Sequence, residues 1–134
     1  MAEWGPGPFE NDDAADWVYD LEAGSIVVLR RALDIATLRY LEVREASIAI
    51  AAAEVIAAAV GRPNPALPDL AAQWVREHGK DVSDQLMLMA AAALDRVLGE
   101  YSELREVWSE APEAGWDHNV QDLRQRLNPS HLIG

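Results

Sequence analysis

Apolar residues recur at helical spacing along almost the whole chain. The first segment places four of them at i, i+3, i+4 and i+7, which is one face of a helix: Ala14, Trp17, Val18 and Leu21. The same pattern predicts helices over about 12–23, 25–39, 42–60, 69–78 and 117–127. Another helix begins near Leu86. It either breaks at Gly99 or continues past this residue to Trp108. No segment alternates in the way that is typical of paired strands.

Polar and breaking residues punctuate this pattern at the expected helix ends. Asn11, Ser25 and Ser102 each stand directly before a predicted helix and are good N-cap residues. Gly61 follows the helix over 42–60 and is expected to end it. The segment GRPNPALP, residues 61–68, contains three prolines and is therefore predicted to be an extended connection.

The helix over 42–60 is apolar on nearly every side. Its core, ASIAIAAAEVIAAAV at 46–60, is too short to span a bilayer and contains Glu54, so we interpret it as a buried central helix. The predicted fold is all-α: a compact single-domain bundle of about six helices over residues 1–134, with this apolar central helix and a Gly/Pro/Trp-rich N-terminal loop.

Charge and composition limit the kinds of ligand and site that the chain can have. The chain has 134 residues and a formal net charge of −12, from 23 acidic and 11 basic side chains. Nucleic acid is an unfavourable ligand for such a chain, whereas a basic protein partner would be attracted. Cysteine is absent, which excludes disulfides and thiolate metal sites. The start carries no secretory signal pattern, so we expect a cytoplasmic protein that does not enter membranes.

Two aspartates are the first candidates for chemistry. Asp12 and Asp16 lie one helical turn apart, as oxygen ligands of a hard cation would. Acidic residues in the first turn of a helix are explained equally well by its macrodipole and free amides. His78, His118 and His131 show no ligand spacing. We therefore predict no metal, no cofactor and no catalytic residue.

Glu54 is the second candidate, because it lies in AAAEVIAAA on the most apolar helix. A buried carboxylate needs a partner, since an unpaired buried charge costs several kcal/mol. We expect Glu54 to accept hydrogen bonds from an arginine or from the backbone of the N-terminal loop. The alternative is that it reaches solvent through a gap between helices.

The opening stretch WGPGPFENDDAADW, residues 4–17, has a structural interpretation as a clasp. Its aromatic residues would anchor the loop in the core, its glycines and prolines would allow tight turns, and its polar residues would start the first helix. The residues assigned to this clasp, together with its expected acceptor, are Trp4, Phe9, Asn11, Asp12, Asp16, Trp17 and Glu54. The alternative is a polar pocket in which Asp12, Asp16 and Glu54 converge.

This opening resembles that of a bacterial family of domains of unknown function, whose members begin W-G-x-G-x-F-x-N-D-x-A-x-D-W. The chain has the matching residue at every specified position: Trp4, Gly5, Gly7, Phe9, Asn11, Asp12, Ala14, Asp16 and Trp17. AAAEVIAA around Glu54 and SELREVW, residues 102–108, are similar to later blocks of the family. The resemblance implies a small, soluble helical protein and brings no activity, cofactor or catalytic residue.

Two functions remain open at this point. The first is an acidic protein-binding module, such as an inhibitor or immunity-type partner of a basic protein, suggested by charge and size. The second is a small enzyme, or a ligand or metal binder, that uses the cluster of Asp12, Asp16 and Glu54.

Overall fold

The computed structural model describes residues 5–35 and 37–128, and these form an all-α bundle. Its α-helices are α1 (Asp12–Glu22), α2 (Ile26–Leu33), α3 (Val43–Ala59), α4 (Asp69–His78), α5 (Asp84–Leu98), α6 (Glu103–Ser109) and α7 (Trp116–Arg126), with 3₁₀ turns at Gly79–Asp81 and Pro112–Ala114. The all-α prediction is confirmed, with seven α-helices in the described part where about six were expected.

Helix α3 lies at the centre of the bundle. It contacts each of the six other α-helices. Its alanines at 46, 49, 51–53 and 57 have no exposed surface. Because an alanine side chain ends at Cβ, the neighbouring helices can approach α3 closely on several sides, and the packing of this one helix organises the core.

The predicted N-caps are present. The Asn11 side chain accepts a hydrogen bond from the Ala14 amide at 2.8 Å. Ser25 and Ser102 make the corresponding bonds at the starts of α2 and α6. Helix α5 ends at Leu98, so the sequence pattern that continued toward Trp108 is interrupted by a real break and α6 begins after Ser102.

Helix α2 is shorter than predicted, because it ends at Leu33 and not near residue 39. The following segment pairs with the α5–α6 connection: the Leu41 amide donates to the Tyr101 carbonyl and the Glu103 amide donates to the Leu41 carbonyl, both at 2.8 Å. The Arg96 guanidinium also donates to carbonyls in both segments. These bonds between distant parts of the chain replace the helical bonds that local periodicity predicted.

The first residue of α6 also caps the central helix. The Glu42 side chain makes no capping bond at the start of α3. Instead, Glu103 Oε1, from the first residue of α6, accepts a hydrogen bond from the Val43 amide at 2.9 Å. A carboxylate at this position satisfies a free amide and interacts favourably with the dipole of α3. Glu103 therefore fixes the start of α3 against α6.

The Asn11 cap gives a direct test of how the N-terminal motif stabilises the fold. Asn11→Ala removes the acceptor of the Ala14 amide and should lower the free energy of unfolding by about 1 kcal/mol. Asn11→Ser keeps a capping oxygen, so its free energy of unfolding should be closer to that of the parent protein. Urea denaturation of the three proteins checks this ranking, and equal stability of the alanine variant would contradict the capping role.

Candidate functional site

Glu54 is buried and paired with an arginine from the far end of the chain. Its side chain is 2% exposed. Arg126 donates to both carboxylate oxygens, from Nη1 to Oε1 and from Nη2 to Oε2, each at 2.9 Å. Asn64 Nδ2 donates a further bond to Oε2 at 3.1 Å. Of the partners considered from the sequence, the structure shows the arginine, and Asn64 is one that the sequence did not indicate.

Two more donors of Arg126 are also used. Nη1 donates to the Arg62 carbonyl at 3.1 Å, and Nε donates to Asp122 Oδ2 at 3.0 Å. Burial lowers the pKa of Arg126, but the hydrogen bond and charge of Glu54, followed by those of Asp122, outweigh it and raise the pKa above its usual value. The network thus joins α3, the 61–68 connection and α7 through one charged centre whose hydrogen bonds are largely satisfied.

A small cavity lies beside Glu54. It is lined by the N-terminal loop, α3 and α7, with Pro6, Asn11 and Ser47 among its walls. Its volume is about 10 Å³, which is room for roughly one water molecule. A substrate does not fit in this space, so the geometry around Glu54 is that of a structural ion pair.

Two local hydrogen bonds and one bond from α7 hold the N-terminal loop. Glu10 Oε1 accepts a hydrogen bond from the Gly7 amide at 3.0 Å, while the Glu10 amide donates to the Gly7 carbonyl at 3.2 Å. A Cβ atom on Gly5 or Gly7 would collide with the Glu10 carboxylate. Asn119 of α7 donates to the Pro6 carbonyl at 3.3 Å. Glu10 was not among the residues predicted from the sequence, although its spacing from the two glycines is visible there.

The aromatic residues of the motif have different positions. Trp17 belongs to the hydrophobic core and is buried. Phe9 is partly buried and packs against that core. Trp4 lies outside the described residues. Asn11 is buried beside the start of α1, so the described part of the motif holds the loop and α1 against the bundle.

The acidic residues of the motif do not gather around Glu54. Asp12 and Asp16 are exposed on α1, whereas Glu54 is inside the bundle. Among the described residues, no group of three or more His, Cys, Asp or Glu side chains is arranged to hold a metal ion. In the described part of the chain, Asp12, Asp16 and Glu54 therefore do not form the polar pocket that was considered as an alternative.

One further property concerns membranes. In the part of the chain that the structure describes, no helix has both the length and the apolar character needed to cross a bilayer.

Comparison with known proteins identifies the family. The sequence profile described as "Domain of unknown function (DUF4259)" matches residues 2–119, and the chain belongs to this family. No curated protein and no solved structure gives a significant match. The matched region contains α1 to α6 and Glu54, but it ends before Arg126.

The structural role of the Glu54–Arg126 pair can be measured with a double-mutant cycle. Arg126→Gln leaves the buried Glu54 carboxylate without its ionic partner and should lower the free energy of unfolding by about 3 kcal/mol or more. Glu54→Gln leaves Arg126 still paired with Asp122 and should cost less. The double variant should be less destabilised than the sum of the two, because neither charge is left unpaired.

The Asp95–Arg124 pair provides the matched control for this cycle. It has two hydrogen bonds of the same type but lies on the surface. Its coupling energy should stay below about 1 kcal/mol. Equal coupling in the two cycles would contradict the assignment of Glu54 and Arg126 as a buried structural pair.

A metal role for Asp12 and Asp16 is tested by thermal denaturation with Ca²⁺ or Mg²⁺. Any cation screens the repulsion within a chain of net charge −12, so the comparison must be made at equal ionic strength with NaCl. Under these conditions we expect the same melting temperature with and without the divalent ion. A saturable increase that Asp12→Asn abolishes would show specific binding and overturn this expectation.

Proposed function

We propose that this member of the family is a small, acidic, cytoplasmic protein-binding module of bacterial origin, which covers a basic surface of another protein in the manner of an inhibitor or immunity-type partner. The proposed contact surface is the outer face of α1. The support comes from the charge and exposure of this helix. The small size of the cavity beside Glu54 argues against the alternative, an enzyme or ligand binder.

The main observation is the uncompensated charge of the first helix. Residues 10–22 contain six acidic side chains and no basic one: Glu10, Asp12, Asp13, Asp16, Asp20 and Glu22. The salt bridges found among the described residues involve none of these six. None of the six is therefore held in an ion pair by an arginine or lysine of the described residues, and their combined charge favours encounter with a positively charged protein surface.

An exposed tyrosine lies within this acidic face. Tyr19 is 63% exposed. Asp16 and Glu22, one turn before and after it, are its neighbours on the helix surface. Tyrosine is enriched among the residues that carry binding energy at protein interfaces, because its large ring loses little conformational entropy when it becomes ordered. Tyr19 therefore supplies an apolar anchor inside a surface that is otherwise electrostatic.

The alternative, an enzyme or ligand binder that uses Asp12, Asp16 and Glu54, has less support. The cavity beside Glu54 has a volume of only about 10 Å³, and the carboxylate is already occupied by Arg126 and Asn64. The two aspartates point to solvent from a surface helix. A protein partner makes better use of exposed charges than a small substrate, which needs a concave site.

The experiment compares the parent protein with a variant of the α1 face. Immobilised parent protein captures binding proteins from a lysate of the organism that encodes it, and each captured protein is purified and titrated by calorimetry. We expect a positively charged protein that binds in a 1:1 complex, with an affinity that falls as NaCl is added. The Tyr19→Ser/Asp16→Asn variant should bind it at least about tenfold more weakly.

Leu88→Ser is the matched control, because Leu88 is also 63% exposed but lies on α5. This variant should bind like the parent, and thermal denaturation should show that both variants remain folded. The proposal is wrong if no basic protein binds, if the affinity is insensitive to salt, or if the α1 and Leu88 variants bind equally well.

A further inference from the structure

We infer a second interaction surface, separate from the α1 face, on which Tyr40 and Tyr101 bind an arginine side chain of another protein. The two tyrosines lie on segments that pair with each other. Leu41 and Ser102 form a parallel β-bridge and are buried, and one tyrosine directly precedes each of them. Tyr40 is 44% exposed and Tyr101 is 66% exposed. The backbone pairing therefore brings both rings to the same region of the surface.

The backbone of Tyr101 is the first argument. Its φ is 60°, and Tyr101 is the one non-glycine residue with a positive φ in the described part of the chain. A bulky side chain disfavours this left-handed conformation, which glycine or asparagine adopts more easily. The Tyr101 carbonyl accepts from the Leu41 amide at 2.8 Å and from Arg96 Nη2 at 3.3 Å. These bonds use the backbone of Tyr101 and not its exposed ring, so we attribute the tyrosine at this strained position to binding.

The negative surroundings of Tyr40 are the second argument. The Tyr40 hydroxyl donates to Glu106 Oε2 at 3.4 Å. The pKa of Tyr40 is raised, first by desolvation and then by the charges of three carboxylates: Glu106, Glu103 and Glu42. The salt bridges among the described residues involve none of these three. A cation is therefore the complementary group for this surface.

The nearby arginines of the chain do not replace such a cation. Arg96 and Arg105 donate to main-chain carbonyls around the α5–α6 connection. Arg39 is exposed next to Tyr40 and is the opposing charge. All the charges that shift the Tyr40 pKa are nevertheless those of carboxylates, so negative charge prevails at this ring.

The combination of rings and carboxylates favours arginine over lysine. A guanidinium is planar and weakly hydrated, so it stacks on an aromatic ring while its N–H groups donate to a carboxylate. Both rings are exposed, whereas a small molecule needs a concave site. The arginine is therefore assigned to a segment of another protein that approaches from outside. The surface contains no residue of α1, so this inference does not rest on the proposed function.

The test is an NMR titration of the ¹⁵N-labelled full chain with the peptide Gly-Arg-Gly-Arg-Gly at constant ionic strength. We expect saturable shifts of the backbone amides centred on residues 38–42 and 99–103. The peptide with citrulline in place of arginine keeps the planar group without the charge and should give no saturable shifts there. The peptide with lysine keeps the charge without the planar group and should bind about fivefold more weakly.

Tyr101→Asn separates binding from folding. Asparagine tolerates the left-handed backbone, so the variant should melt at the same temperature as the parent or at a higher one. It should nevertheless bind the arginine peptide about fivefold more weakly. Leu88→Asn is the matched control, because Leu88 is 63% exposed but lies on α5, and it should bind like the parent.

Four results would each overturn the inference. The shifts could centre on α1 or on another surface, or the citrulline or lysine peptide could bind as tightly as the arginine peptide. Tyr101→Asn could bind the arginine peptide as tightly as Leu88→Asn does. A clear fall in the melting temperature of Tyr101→Asn would show that the ring serves the fold, which contradicts the first argument.

Discussion

The close packing of six helices around α3 is the constraint on which the structure depends. A helix that is covered on so many sides must present small side chains, and its alanines provide them. The same burial makes the carboxylate of Glu54 costly unless it is fully paired. Glu54 is therefore tolerated because Arg126, 72 residues later in the chain, donates two hydrogen bonds to it and Asn64 donates a third.

The need to pair Glu54 affects both the stability of the fold and the position of α7. A buried ion pair contributes little net stability compared with an apolar pair of similar volume, but breaking it is expensive. Arg126 can reach Glu54 only when α7 packs against α3 in a suitable position. Its bond to the Arg62 carbonyl positions the 61–68 connection at the same time. We therefore expect the pair to favour this arrangement of α7 over others that hydrophobic contact alone would allow.

The sequence predicted what depends on neighbouring residues. Asn11, Ser25 and Ser102 cap their helices through bonds that span only two or three residues, so their type and position were sufficient. The early end of α2 was not predictable, because it results from hydrogen bonds between Leu41 and the distant α5–α6 connection. For Glu54, burial was readable from the apolar residues around it, but which arginine pairs with it depends on tertiary structure.

Two sets of acidic residues have different physical consequences. Glu54 and Glu103 satisfy donors inside the bundle or at a helix start, and they are explained by folding. The exposed acids of α1 satisfy no comparable requirement beyond the first turn of the helix, and their mutual repulsion opposes the compact state. These exposed charges also add nothing to the packing of the core, because they lie at the surface. The charge of α1 is therefore better explained by solubility or by an external partner than by the fold.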